Sequence, residues 1–167
     1  METSLANLYR TILGRVDRVS YAGVVITMAL MTLLVTAQVV TRYAFNSSID
    51  SADELSRLFF IWAIFLSIPH GVRYGAHVGI DLMVSKLAAK NREIVFRIVS
   101  GLGVFLMAVV TYAATITTID KWPELMPTVN FTAAVYYIPV LICAFHSLLH
   151  LLWQVFAGES SVERGTF

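Results

Sequence analysis

Apolar positions in this chain do not alternate with polar ones; they run on. Four stretches, roughly Val19 to Val40, Leu55 to Val72, Ile94 to Ile119 and Phe131 to Phe156, come close to or exceed the about 20 mostly apolar residues that cross a hydrocarbon core. None holds Asp, Glu or Lys at its middle. Arg57 and Arg97 stand within a turn of their helix starts, where a long side chain reaches the interface. A membrane barrel would show alternating segments of about ten residues, which runs such as AIFLSI and LICAFHSLLHLLW are not. The expected fold is an all-α membrane protein in which residues 1–167 form one membrane domain with four transmembrane helices.

The connections carry weaker patterns. Leu5, Leu8, Tyr9, Ile12, Leu13, Val16 and Val19 recur at helical spacing, with Arg10, Arg15 and Arg18 off the stripe. This predicts an amphipathic helix over residues 1–18, lying on the membrane surface or packed against the ends of the spans; periodicity does not separate the two. Ile80, Met83, Val84, Leu87 and Ala88 predict a second, shorter surface helix in the middle loop, with Asp81, Ser85, Lys86 and Lys90 on its polar side. Val35-Thr36-Ala37 loosely resembles a cleavage site. The apolar stretch before it is too long and starts too late for a signal peptide, so an uncleaved span is expected.

Composition agrees with the pattern and narrows the function. Of 167 residues 57% are hydrophobic and 14% charged, and the mean hydropathy is +0.73. The formal net charge of +1 offers no field to attract nucleic acid. Placement of charge is informative instead. Four spans put the N-terminus, the middle loop and the C-terminal tail 157–167 on one side with Arg10, Arg15, Arg18, Arg73, Lys86, Lys90, Arg92, Arg97 and Arg164, against Arg42, Arg57 and Lys121 on the other. The positive-inside rule then places both termini of this multi-pass chain in the cytoplasm. A single cysteine, Cys143, excludes an internal disulfide and thiol-relay chemistry.

The unusual polar residues concentrate between Arg42 and Asp81. Ser51-Ala52-Asp53-Glu54 has capping-box spacing and predicts the start of the second span, with both carboxylates at the positive end of the helix dipole and Arg57 one turn on. These charges either anchor the helix start or dock another protein. Pro69-His70-Gly71 loosens the far end of that span. Arg73, His77 and Asp81 follow at spacings of four and would form a column if the helix continued. No nucleophile is partnered with His77 and Asp81, so no catalytic residue and no enzyme activity is expected.

This segment resembles the signature of the small permease subunit, the Q or DctQ-like subunit, of tripartite ATP-independent periplasmic (TRAP) transporters. Arg42, Tyr43, Phe45 and Asn46, then Asp53, Glu54, Leu55 and Arg57, then Trp62, Phe65, Arg73, Gly75, His77, Val78 and Asp81 carry the likeness, and the fourth span with Tyr137 and Pro139 is similar too. Ser67 stands where a Gly is common and Ser51 where a Trp often precedes the acidic pair. The resemblance implies a scaffold beside a large permease subunit (M), which carries the solute and sodium sites. A periplasmic substrate-binding protein (P) delivers a small organic acid to that subunit for sodium-coupled uptake. The residues then expected to serve structure and docking are Asp53, Glu54, Arg57, Arg73, His77 and Asp81.

The remaining polar residues support that division of labour. An ion pathway calls for ionisable groups or broken helices at mid-membrane. The spans instead carry hydroxyls and small residues: Gly101, Ala108, Thr111, Thr115 and Thr118 share a face of the third span, suited to close helix packing. His70, His146 and His150 open a rival reading, a haem-binding four-helix anchor of a redox complex, in which His70 and His150 lie at compatible depth. His146 and His150 alone lack a third protein ligand nearby for zinc, so no metal and no cofactor is expected. Nothing in the chain reads as a solute site, and the membrane lipids are the other expected partner.

Overall fold

The computed structural model describes residues 2–73 and 89–157. The helix expected in the middle loop lies outside the described residues. The described residues form α1 (Glu2–Ala44), α2 (Ala52–Arg73), α3 (Ala89–Asp120), a 3-10 turn (Ala133–Tyr136) and α4 (Ile138–Ala157), joined by short non-helical connections. Four helical segments, Asn7–Ala44, Ala52–Arg73, Asn91–Asp120 and Ala133–Phe156, are long and apolar enough to cross a membrane. The fold is therefore the all-α, four-span arrangement that the apolar runs predict.

Two boundaries differ from the sequence pattern. The leader is continuous with the first span, the two forming one 43-residue helix. It leans on α4 instead of lying alone. Tyr9 stacks on Trp153 with ring centroids 5.3 Å apart and donates its hydroxyl to the Leu149 carbonyl at 2.6 Å. The fourth span, expected from Phe131, becomes α-helical only at Ile138, and Pro139, which lacks an N–H and has its φ fixed, sits at that start. Before it the chain forms a pinned loop. Met126 is buried, its amide donates to the Phe131 carbonyl at 2.8 Å, and Thr132 caps the 3-10 turn. The Trp62 indole donates to the Val135 carbonyl at 3.0 Å, so this non-helical stretch packs roughly 15 Å along α2 with its polar backbone engaged by protein.

The capping spacing places the α2 start correctly but not its bonds. The helix begins at Ala52, and the Ser51 carbonyl accepts from the Leu55 amide at 3.0 Å. The Glu54 carboxylate is turned away from Ser51 and accepts from the Thr128 amide at 2.8 Å and from the Thr128 hydroxyl, while Tyr136 donates to the Glu54 carbonyl. Pro69 is fully buried inside α2, which continues through Gly71 to Arg73. At the end of α1, Asn46 takes a left-handed φ of 48, a conformation Asn tolerates, and the amides of Phe45 and Ser47 both return to the Thr41 carbonyl.

The helices pack in the row α1, α2, α4, α3, with α1 and α3 at its edges. Small residues set the spacing. A Cβ built on Gly103 of α3 would lie 3.1 Å from both Leu151 Cδ atoms, and one on Gly23 of α1 would lie 2.9 Å from Leu66 Cδ1. Gly103→Ala should be near neutral, since the helix-propensity gain offsets a small shift of Leu151. Gly103→Leu overfills the seam and should cost about 2 kcal/mol, read as a lower midpoint in thermal unfolding of the solubilised chain.

Threonines in the spans are satisfied within their own helices. Thr27, Thr32, Thr111, Thr115 and Thr118 each donate to the carbonyl four residues earlier. Their hydroxyls therefore need no partner helix, and what they offer a neighbour is small size.

Candidate functional site

Polar side chains of three helices meet at the end of the bundle where α2 and α4 finish. Leu13, Asp17, Ser20 and Thr27 lie along one face of α1, at steps of four, three and seven, and are buried. From α4 come His146, His150 and Gln154, each one turn from the next and buried to within 4% of full enclosure. Near the end of α2, some 30 Å from its start and so close to the edge of a hydrocarbon core, stand His70 and Arg73.

Asp17 is the hub. Its Oδ1 lies 2.8 Å from His146 Nε2 and 2.8 Å from His150 Nε2, and its Oδ2 accepts from Arg73 NH1 at 2.9 Å. One carboxylate thus joins α1 to α2 through an ion pair and to α4 through two imidazoles. A buried carboxylate with one cation and two N–H donors leaves little of its charge uncompensated. Around the hub, Ser20 donates to the Leu66 carbonyl at 2.8 Å and Gln154 to the Val72 carbonyl at 2.8 Å. The His70 ring meets His146 edge to face at 6.2 Å, and the Arg10 guanidinium sits over the Trp153 ring at 5.3 Å. Not every atom is satisfied: His70 Nε2, His146 Nδ1 and Gln154 Oε1 are buried without a hydrogen-bond partner.

The structure corrects the sequence-based expectation about metals. His146 and His150 do have a third donor nearby, because the ligand atoms of Asp17, His146 and His150 all lie within 4.8 Å of one another. It offers little to haem. The haem reading pairs His70 with His150; here His150 Nε2 is engaged by Asp17 Oδ1 at 2.8 Å, and the His70 ring stands edge to face against His146 at 6.2 Å.

The residues put forward from sequence are scattered. Arg73 belongs to the knot, but His77 and Asp81 lie outside the described residues. Asp53, Glu54 and Arg57 sit at the opposite end of α2, where Glu54 binds the Thr128 loop and Asp53 and Arg57 are exposed. Of the third-span stripe, Thr111 and Thr118 are half-buried while Ala108 and Thr115 are exposed, and a Cβ on Gly101 would meet nothing within 4 Å. The seam inside this chain is rotated from that stripe and runs through Ser100, Gly103 and Ala114. The sequence pattern did not put Asp17 forward at all. Its signal was a carboxylate on the apolar stripe of the leader, one turn after Leu13.

Residues 31–159 match the family described as Tripartite ATP-independent periplasmic transporters, DctQ component. A Haemophilus influenzae protein assigned to the TRAP transporter small permeases is 43% identical over 60 residues, covering 36% of this chain and 37% of that protein. The C4-dicarboxylate TRAP transporter small permease protein DctQ of Vibrio cholerae is 34% identical over 67 residues, 40% of this chain and 29% of the relative. A second Haemophilus influenzae protein of the same assignment is 25% identical over 120 residues, 72% of this chain and 73% of its own length. The first two matches thus span well under half of those relatives.

Proposed function

Because this chain belongs to the DctQ component family of tripartite ATP-independent periplasmic transporters, we propose that it is the small, non-catalytic membrane subunit that scaffolds a large permease subunit during sodium-coupled uptake of a small organic acid. A periplasmic binding protein delivers the solute, and both termini face the cytoplasm. The observation that carries the reading is the unused small-residue face of α3. Gly101, Ala108 and Thr115 recur every seven residues and point away from the chain's own seam. Small residues at that period let a partner helix approach closely, and lipid alone gives no reason for them.

The distribution of charge supports a scaffold as well. Among the described residues, the ionisable groups buried within the bundle are gathered in the knot at one end, bound to each other, and are not strung across the membrane as an ion path would need. Asp53 and Arg57, exposed at the opposite end, are available for docking.

The test is solute uptake in proteoliposomes holding the large permease subunit and the binding protein, with and without this chain. Sodium-driven uptake is expected to fall to background when the chain is left out. Full uptake by the large subunit and binding protein alone would remove the scaffold role.

A further inference from the structure

We propose that Asp17, His146 and His150 form a binding site for a divalent transition-metal ion, Zn²⁺ being the best match. Two imidazoles four residues apart on α4 each place Nε2 2.8 Å from Oδ1 of one α1 carboxylate, so that all three donor atoms lie within 4.8 Å of one another, close enough for one ion to replace the two hydrogen bonds. Two nitrogens and one oxygen from buried side chains are the ligand set of an open zinc site, which keeps a further position for a small ligand. His146 lines a groove of about 540 Å³ between α1, α2 and α4, which Ser20 also lines and on which Arg15 stands.

Two further features fit an ion. Arg73 holds Oδ2, which fixes the carboxylate plane and leaves Oδ1 turned to the histidines, as a supporting hydrogen bond to a ligating carboxylate does. Nδ1 of His146 has no hydrogen-bond partner, so the proton that Nε2 gives up to a metal has a nitrogen to occupy. The neighbouring charge also sets the strength. The Arg73 guanidinium, 2.9 Å from Oδ2, also opposes a divalent ion by its charge, an effect separable from the hydrogen bond by which it holds the carboxylate.

The experiment is Co²⁺ titration of the purified full-length chain in detergent, read by visible d–d absorption, with Zn²⁺ competition. The expected result is one Co²⁺ per chain, displaced by Zn²⁺, with affinity lowered about 100-fold or more in His146→Ala and in the isosteric Asp17→Asn. Arg73→Gln, which keeps an N–H donor for Oδ2 while removing the opposing charge, should raise affinity about tenfold, an increase that a merely unfolded variant would not give. A wild-type chain that develops no d–d band, or one whose band survives both His146→Ala and Asp17→Asn, overturns the site.

Discussion

Asp17→Ala is expected to lower the apparent midpoint of thermal unfolding of the detergent-solubilised chain by about 10 °C, the largest effect of any single substitution outside the helix seams. Asp17 is 4% exposed, and three groups depend on its carboxylate. Without it Arg73 loses its Asp17 ion pair at 2.9 Å, and His146 and His150 lose the acceptor they share. Removing one partner of a buried ion pair typically costs about 3–5 kcal/mol, and for a chain of this size each kcal/mol moves the midpoint by roughly 2–4 °C. Arg73 moderates the loss, because its side chain keeps 28% exposure and can extend to the interface. Asp17→Asn retains an acceptor of the same shape and should fall between the two.

A second variant separates the knot's polarity from its packing. Replacing the set together, as Asp17→Leu, Arg73→Met, His146→Leu and His150→Leu, removes the charges that Asp17, Arg73 and the histidines present to one another and should recover much of the midpoint. Tryptophan fluorescence at one scan rate reads all of these. An Asp17→Ala chain that unfolds with the wild type would mean that the knot does not hold α1 to α2 and α4.

How much of this was legible follows from how local each feature is. The apolar middles of spans one to three are set by their own runs, so periodicity found them, and the capping spacing located the α2 start at Ala52 although Glu54 bonds Thr128 and not Ser51. The entry to span four was misplaced because Phe131 and Val135 are as apolar as the helix that follows. What makes that stretch a pinned loop is the reach of Trp62 and Glu54 from α2, 73 and 74 residues away in sequence. The knot is less local still: Asp17 meets His146 and His150 across separations of 129 and 133 residues. Each partner looked like a singleton, a carboxylate in a basic leader and two histidines without a third ligand. The direction of the α3 stripe was also beyond periodicity. Its small residues were visible, but the bulk of Leu151 over Gly103 is what turns the inner seam away from Ala108 and Thr115.

That rotation gives the scaffold reading its sharpest consequence. Outside the seam, α3 presents Ile94, Ile98, Leu102, Phe105, Val109, Tyr112, Ile116 and Ile119 as a continuous exposed ridge, and Gly101, Ala108 and Thr115 form a shallow track beside it. A partner helix seated on that track gains close van der Waals contact that larger side chains would block. Leucine at all three positions keeps the surface lipid-compatible; Ala108 and Thr115 are exposed, and a Cβ on the half-buried Gly101 meets nothing within 4 Å. Each added side chain should cost the contact about 1–3 kcal/mol, and every 1.4 kcal/mol is tenfold in affinity.

The most direct measurement is co-purification of the large permease subunit on tagged chain carrying Gly101→Leu, Ala108→Leu and Thr115→Leu together, set against wild type. The scaffold account predicts that recovery of the large subunit falls more than about tenfold while the unfolding midpoint of the chain itself is unchanged. Undiminished recovery of the large subunit on the triple variant would contradict it.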